Sequence, residues 1–211
     1  MTMTKMYKYE KATASFVDDA PVRTSVAVKL KALPHQVFDV LVDYPNWTRW
    51  FPDVKQCYET STSSSSSSNS DSNSNYTNTM SKVGTTRRVE VGPLIAEEEI
   101  IAFDDGSGSG SADGRRKTTT SKIFAFTILE SNQNFTNCWV EMVKLEPIWN
   151  ETASDVVGSK ATYSTGLRLC GFLYNCLSFF ITESLKKNWR VGLSNIDDYI
   201  ESSQRDLTFK G

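Results

Sequence analysis

Arg87, Arg88, Glu97, Glu98 and Glu99 form the densest group of side chains able to do chemistry. An arginine can hold a carboxylate or a polar head group through paired N–H donors. A glutamate kept from water can serve as a general base. The chain has a single histidine, His35, which follows Pro34 at an expected helix start, where polar side chains face water. Nucleophilic assemblies of the Ser-His-Asp or Cys-His kind would need it, so they are not expected. The four cysteines, Cys57, Cys138, Cys170 and Cys176, include no CxxC pair. With one histidine they cannot make the usual four-ligand zinc site, and they read as reduced thiols. No metal and no cofactor are expected. Tyr163 and Tyr174 could offer a phenol to a bound ligand.

The charged cluster belongs to two strands. Val83 to Val91 and Ile95 to Phe103 alternate as strands do, and Gly92-Pro93-Leu94 reads as the turn between them. With Val91 facing Ile95, Arg88 faces Glu98 and Arg87 faces Glu99. A slip of one residue would also pair opposite charges. The plain reading is a solvated ladder on the convex face of a sheet. The sharper reading turns one pair inward, Arg87 with Glu99, because Val89 and Val91 share the phase of Arg87. A buried charge without a partner is costly, so the two should be found together.

The rest of the chain supplies more strands and one long helix. Thr24, Val26, Val28 and Leu30 alternate with polar neighbours. Pro34 then opens a short amphipathic helix marked by Val37, Phe38, Leu41 and Val42. A compact turn or helix carries Trp47, Trp50 and Phe51, and Asp53 to Glu59 is a second strand. Lys122 to Glu130 and Cys138 to Glu146 form another hairpin, and Gly158 to Leu169 is the last strand. Leu173, Leu177, Ile181, Leu185, Trp189, Leu193, Ile196 and Ile200 recur every three or four residues. That spacing predicts one helix from Phe172 to Ser203, about 48 Å long. A single long helix behind a run of strands needs a broad curved sheet to cover it, and the arrangement tends to leave a hollow.

Two polar tracts interrupt the pattern. Residues 60–80 are rich in Ser, Asn and Thr, and residues 105–120 in Gly and Ser. Both read as disordered loop insertions, because such composition cannot offset its ordering entropy. The 211 residues are 39% hydrophobic with a net charge of −2, which suits one domain. No basic stripe points to nucleic acid. No apolar run is long enough to span a membrane, and Met1 to Ala20 lacks the apolar core of a secretory signal, so a cytoplasmic monomer is expected.

Three stretches together resemble the START-like (SRPBCC) helix-grip superfamily, in its polyketide cyclase/dehydrase and lipid-transport branch. They are Ser25–Val28 running through Ala32–Asp43 into Trp47-Thr48-Arg49-Trp50-Phe51-Pro52; Val83-Gly84-Thr85 with Gly92–Ile100; and the helix end Gly192–Glu201. The resemblance implies an α+β fold. A curved seven-stranded antiparallel sheet would wrap a long C-terminal helix, with two short helices after the first strand. The domain would span residues 22–203, between an N-terminal extension (1–21) and a C-terminal tail (204–211).

The resemblance further implies a ligand between helix and sheet. Expected contacts are Trp50, Phe51, Arg87, Val89, Phe103 and Phe124, continuing with Phe126, Trp139, Tyr163, Leu185 and Trp189. The plain reading of each aromatic is core packing. Trp47 to Pro52 would form a lid, a cap on the sheet, or a membrane-touching tip. Three functions follow. The first is binding or transport of a lipid, isoprenoid or sterol, with transient membrane contact. The second is a cofactor-free cyclase or dehydratase using Glu99 and Tyr163. The third is a regulatory module built on the serine-rich insertion.

Overall fold

The computed structural model describes residues 4–61, 83–104 and 121–208. Both predicted insertions fall largely outside the described residues. Eight strands are present among those residues: β1 (Tyr7–Lys8), β2 (Val22–Leu30), β3 (Val54–Ser61), β4 (Thr86–Val91), β5 (Leu94–Asp104), β6 (Lys122–Ser131), β7 (Thr136–Trp149) and β8 (Val156–Leu169). The helices are α1 (Phe16–Asp19), α2 (Pro34–Val42), a 3-10 turn (Tyr44–Arg49), α3 (Gly171–Cys176) and α4 (Ser178–Thr208). The sheet order is β2-β8-β7-β6-β5-β4-β3, every pairing is antiparallel, and β1 adds to β6.

Period two sorts each strand into two faces. On β8, Ala161, Tyr163 and Leu167 are buried while Lys160 and Arg168 are exposed. Register shifts interrupt the pairing of β5 with β6 at Glu97/Glu98 and at Ile100/Ala102. Such bulges bend a strand and increase its twist. The concave face receives α2, the 3-10 turn and α4. Pro34 stands at the first position of α2, and the Gln36 side chain accepts the Leu33 N–H at 2.9 Å. Both features fix the helix start.

The C-terminal helix departs from expectation at both ends. It is broken at Leu177, and α4 runs past Ser203 to Thr208. Leu177 N–H bonds to Tyr174 C=O, three residues back, which tightens the turn locally. The apolar stripe meets the core only from Ile181 onward. Before that point Phe172, Phe179 and Phe180 stand 86%, 65% and 68% exposed. From there Trp189, Leu193 and Ile196 are buried against the sheet.

Polar side chains of α4 then fasten it. The Asp197 carboxylate accepts the Lys31 and Ala32 backbone N–H groups at 2.9 and 3.0 Å. Asn195 donates to the Trp50 carbonyl at 2.9 Å. Gly192 lies under Phe51, so close that a β-carbon there would stand 2.7 Å from the ring.

The N-terminal segment, read as an extension, packs on the convex face. Val17 of α1 and Ala20 just after it lie directly on Gly166, where a β-carbon would meet the Ala20 β-carbon at 2.8 Å. Tyr9 shares a hydrogen bond with Ser131 at 2.7 Å.

Asp197→Ala should lower the free energy of unfolding by about 2 kcal/mol, because two charge-assisted hydrogen bonds are lost. Asp197→Asn, which keeps one acceptor oxygen, should lose about half as much. Urea unfolding followed by tryptophan fluorescence measures both.

Candidate functional site

The β4–β5 hairpin decides which charges enter the molecule. Val91 pairs with Leu94, so the turn is the two-residue Gly92-Pro93, and Gly92 has φ 54°. A two-residue hairpin turn with glycine first accommodates that angle. The expected Val91–Ile95 register is therefore off by one. Arg87 faces Glu98, and Arg88 faces Glu97. The inward pair is Arg87 with Glu98. Glu99 points to the convex side, where Lys11 holds it at 2.6 Å. The acid/base candidate Glu99 thus lies on the face opposite to α4. The solvated-ladder reading fails for Arg87, which is fully buried.

Arg87 is enclosed on every side. Its Nε and one terminal nitrogen approach Glu98 Oε2 at 2.7 and 2.6 Å. Its guanidinium lies over the rings of Trp47, Phe126, Tyr44 and Phe124 at 4.3, 4.4, 4.7 and 5.3 Å. Burial opposes the charge on Arg87, but Glu98, Cys57 and Tyr44 together offset it and hold the guanidinium above its ordinary range. Burial raises the Glu98 carboxyl, and Arg87 opposes that shift through its charge and its hydrogen bond.

A second carboxyl group was missed by sequence reading. Glu141 on β7 is buried and accepts the Trp189 indole N–H at 3.1 Å. Burial, and then the neighbouring Glu98 charge, push its carboxyl up to about 8. At neutral pH it is mostly protonated. A signal for it existed: Glu141 shares the phase of Trp139, already read as inward. Glu98 likewise shares the phase of Ala96 and Ile100. Tyr163 stacks on Trp189 with ring centroids 4.5 Å apart. Burial, and then Glu141, hold its phenol well above the usual range.

These groups border a cavity of about 80 Å³ between α4 and the sheet. At roughly 10–15 Å³ of such space per water, it holds several waters. It suits a guest of about one ring better than a sterol, which would need the walls to part. Of the expected contacts, Phe51, Val89, Phe126, Trp139, Leu185 and Trp189 line it. Arg87 and Tyr163 stand behind that wall, touching Phe126 and Trp189 respectively. Phe124 packs beside Phe126, Trp50 against Trp47 and Phe51, and Phe103 on Phe38 away from the cavity. Glu98, Glu141 and Asn188 join the wall without having been expected there, and Trp47, read as part of a lid or cap, joins it too.

The aromatic corner is not a membrane-touching tip, since Trp47, Trp50 and Phe51 are all buried. Trp47 donates its indole N–H to the Leu41 carbonyl at 2.9 Å, which ties the corner to α2. All four cysteines are free thiols, and Cys57 and Cys138 are buried. Among the described residues no cluster of His, Cys, Asp or Glu could hold a metal ion. No helix among them is long and apolar enough to cross a membrane.

An open antiparallel sheet gripping one long C-terminal helix, with short helices after the first long strand, is a helix-grip fold. Solved structures agree. The hypothetical protein jhp0584 from Helicobacter pylori matches with a TM-score of 0.58 at 13% identity, covering 94% of this chain and 99% of that one. TTHA0849 from Thermus thermophilus matches at 0.55 and 10% identity, covering 86% and 98%. Ara h 8.0201 matches at 0.50 and 14% identity, covering 85% and 97%. At these identities the likeness shows the fold alone. No protein-family profile matches the sequence. Uncharacterised proteins of Mycobacterium tuberculosis and Mycobacterium bovis are 30% identical over 100 residues, 47% of this chain and 50% of theirs. The chain thus spans about half the length of the curated relatives it matches.

Glu141 makes stability depend on pH in a defined direction. Below its ordinary value of 4.5 the carboxyl is protonated whether the chain is folded or not. Between 4.5 and about 8 only the folded protein keeps the proton, so unfolding releases it. Stability should fall across that window by about 1.4 kcal/mol per pH unit from this group. Glu141→Gln should remove that part of the slope in urea titrations. A second test concerns the ion pair. Arg87→Met alone strands the Glu98 charge and should cost about 3–5 kcal/mol, whereas Arg87→Met with Glu98→Met should recover most of it.

Proposed function

We propose that this chain binds a small, mainly apolar molecule in the cavity between α4 and the sheet, and carries it without changing it. The observation that supports this reading is the wall itself. Aromatic and aliphatic side chains from the corner, four strands and α4 surround a space that they do not fill, with a few polar groups among them. Pockets of that character are the usual seats of apolar ligands. A lipid, isoprenoid or sterol remains within this reading only with movement of Leu185 and Phe51.

The exposed Phe172, Phe179 and Phe180 support exchange of the ligand at a membrane surface. Phe180 precedes Leu185 by about 7.5 Å along the helix axis. Exposed aromatics of this kind can enter the headgroup region of a bilayer.

A specific observation also favours the cofactor-free cyclase or dehydratase reading. Glu98 and Glu141 both touch the cavity; burial raises both carboxyls, and only Glu98 is bridged to Arg87, which opposes the rise. Such a division assigns an acid and a base. In this reading Glu141 takes the acid/base place expected of Glu99, with Tyr163 behind Trp189. The regulatory-module reading rests on the serine-rich insertion, outside the described residues, and an unfilled core argues for a ligand instead.

Native mass spectrometry after incubation with a lipid extract of the source cells should reveal a bound apolar species. A protein that stays empty in every such trial would remove the carrier reading. Trp189→Ala should weaken binding of an anilinonaphthalene dye at least about tenfold, since it takes away one wall and the stack on Tyr163. His35→Ala should leave dye binding unchanged. Equal effects in folded variants would count against this placement of the ligand.

A further inference from the structure

The polar groups around the cavity are mostly spoken for, and the exceptions have a common chemistry. Glu98 is taken by Arg87, and the Trp189 indole N–H by Glu141. Trp139 lines the cavity and is 3% exposed, yet its indole N–H has no hydrogen-bond partner among the described residues. A buried tryptophan N–H normally finds a partner, and one left without it is costly. Glu141 stands two residues along the same strand, with its Cα about 7 Å from that of Trp139 and its side chain on the same face. Its carboxyl group also lines the cavity.

Charge narrows the guest further. Arg87 and Glu98 cancel one another, and Glu141 is held mostly neutral by burial and by Glu98. A carboxylate guest would place an unpaired negative charge beside Glu98. An ammonium guest would require Glu141 to ionise next to Glu98. Both outcomes carry the cost of bringing further charge into a dry site.

We propose that the cavity selects an uncharged apolar molecule bearing a carbonyl oxygen, seated against the Trp139 indole N–H and the Glu141 carboxyl group. This deepens the reading of the cavity as a ligand site and rests on it. A ketone, aldehyde or ester oxygen offers two lone pairs, one for each donor. The apolar remainder of the molecule then lies against Phe51, Phe126, Leu185 and Trp189.

The test uses the full chain and a set of probes of similar size: acetophenone, ethylbenzene, benzoate and benzylamine. Calorimetric titration should rank acetophenone first, binding at least about tenfold more tightly than ethylbenzene, as two hydrogen bonds of ordinary net strength allow. Benzoate and benzylamine should bind more weakly than acetophenone. Trp139→Phe should weaken acetophenone about fivefold more than it weakens ethylbenzene. Acetophenone affinity should fall as pH rises past about 8. Glu141→Gln, which keeps an N–H donor, should retain binding and lose that pH dependence. Equal binding of ethylbenzene and acetophenone would overturn the carbonyl assignment while keeping the ligand site. Benzylamine or benzoate binding tightest would overturn it in favour of an ionic guest. A pH-independent acetophenone affinity in the unmodified chain would remove Glu141 from the contact. Failure of all four probes to bind would count against the cavity as a site for ligands of this size.

Discussion

A fully buried arginine is the constraint around which the rest is arranged. Arg87 cannot stay inside the protein without a counter-charge, because a lone guanidinium in a dry interior costs several kcal/mol. Glu98 supplies the charge from the neighbouring strand, at 2.6 Å. The rings of Tyr44, Trp47, Phe124 and Phe126 supply their negative faces to the guanidinium. Cation–π contacts are worth roughly 0.5–2 kcal/mol each, more when desolvated. This one group therefore joins β4, β5, β6 and the 3-10 turn. A slip of one residue would turn Glu98 outward together with the buried Ala96 and Ile100, so the register is set by more than the charge pair.

The consequences of that pair reach the cavity. Glu98 presents its carboxylate at the cavity wall, and its charge helps keep Glu141 protonated. Glu141 in turn holds the Trp189 indole, and Trp189 stacks on Tyr163. The orientation of the main aromatic on α4 thus depends on a hydrogen bond whose acceptor titrates. On the other side, Gly192 lets Phe51 lie against the helix, and Asn195 and Asp197 tie that helix to the corner and to the end of β2. The wall of the cavity is held by hydrogen bonds at its rim and by ring contacts inside.

Much of this was legible in the residues. Period two and period 3.6 placed the long strands, α2 and most of the C-terminal helix within a few residues. They could not foresee the break at Leu177 or the exposure of Phe179 and Phe180, since an apolar stripe does not say where its cover ends. The hairpin register was ambiguous because both alignments of Arg87-Arg88 with Glu97-Glu98-Glu99 pair opposite charges. The φ of Gly92 resolved it, and sequence shows only that glycine allows such a value. Glu141 was overlooked although its phase relative to Trp139 was available, because a glutamate in a strand is read as solvated until a partner is seen.

The sequence by itself determined the class of architecture, since periodicity follows from backbone geometry and is written residue by residue. It left two readings of the hairpin charges, a solvated ladder and one inward pair of an arginine with a glutamate. Only the tertiary structure decided which glutamate that was, and that a second carboxyl group would join it. It also decided that Arg87 would end inside a cage of rings rather than at a ligand. Those outcomes depend on distances between strands and helices far apart in the chain. Dielectric surroundings, ring contacts and unfilled space exist only after those elements have packed.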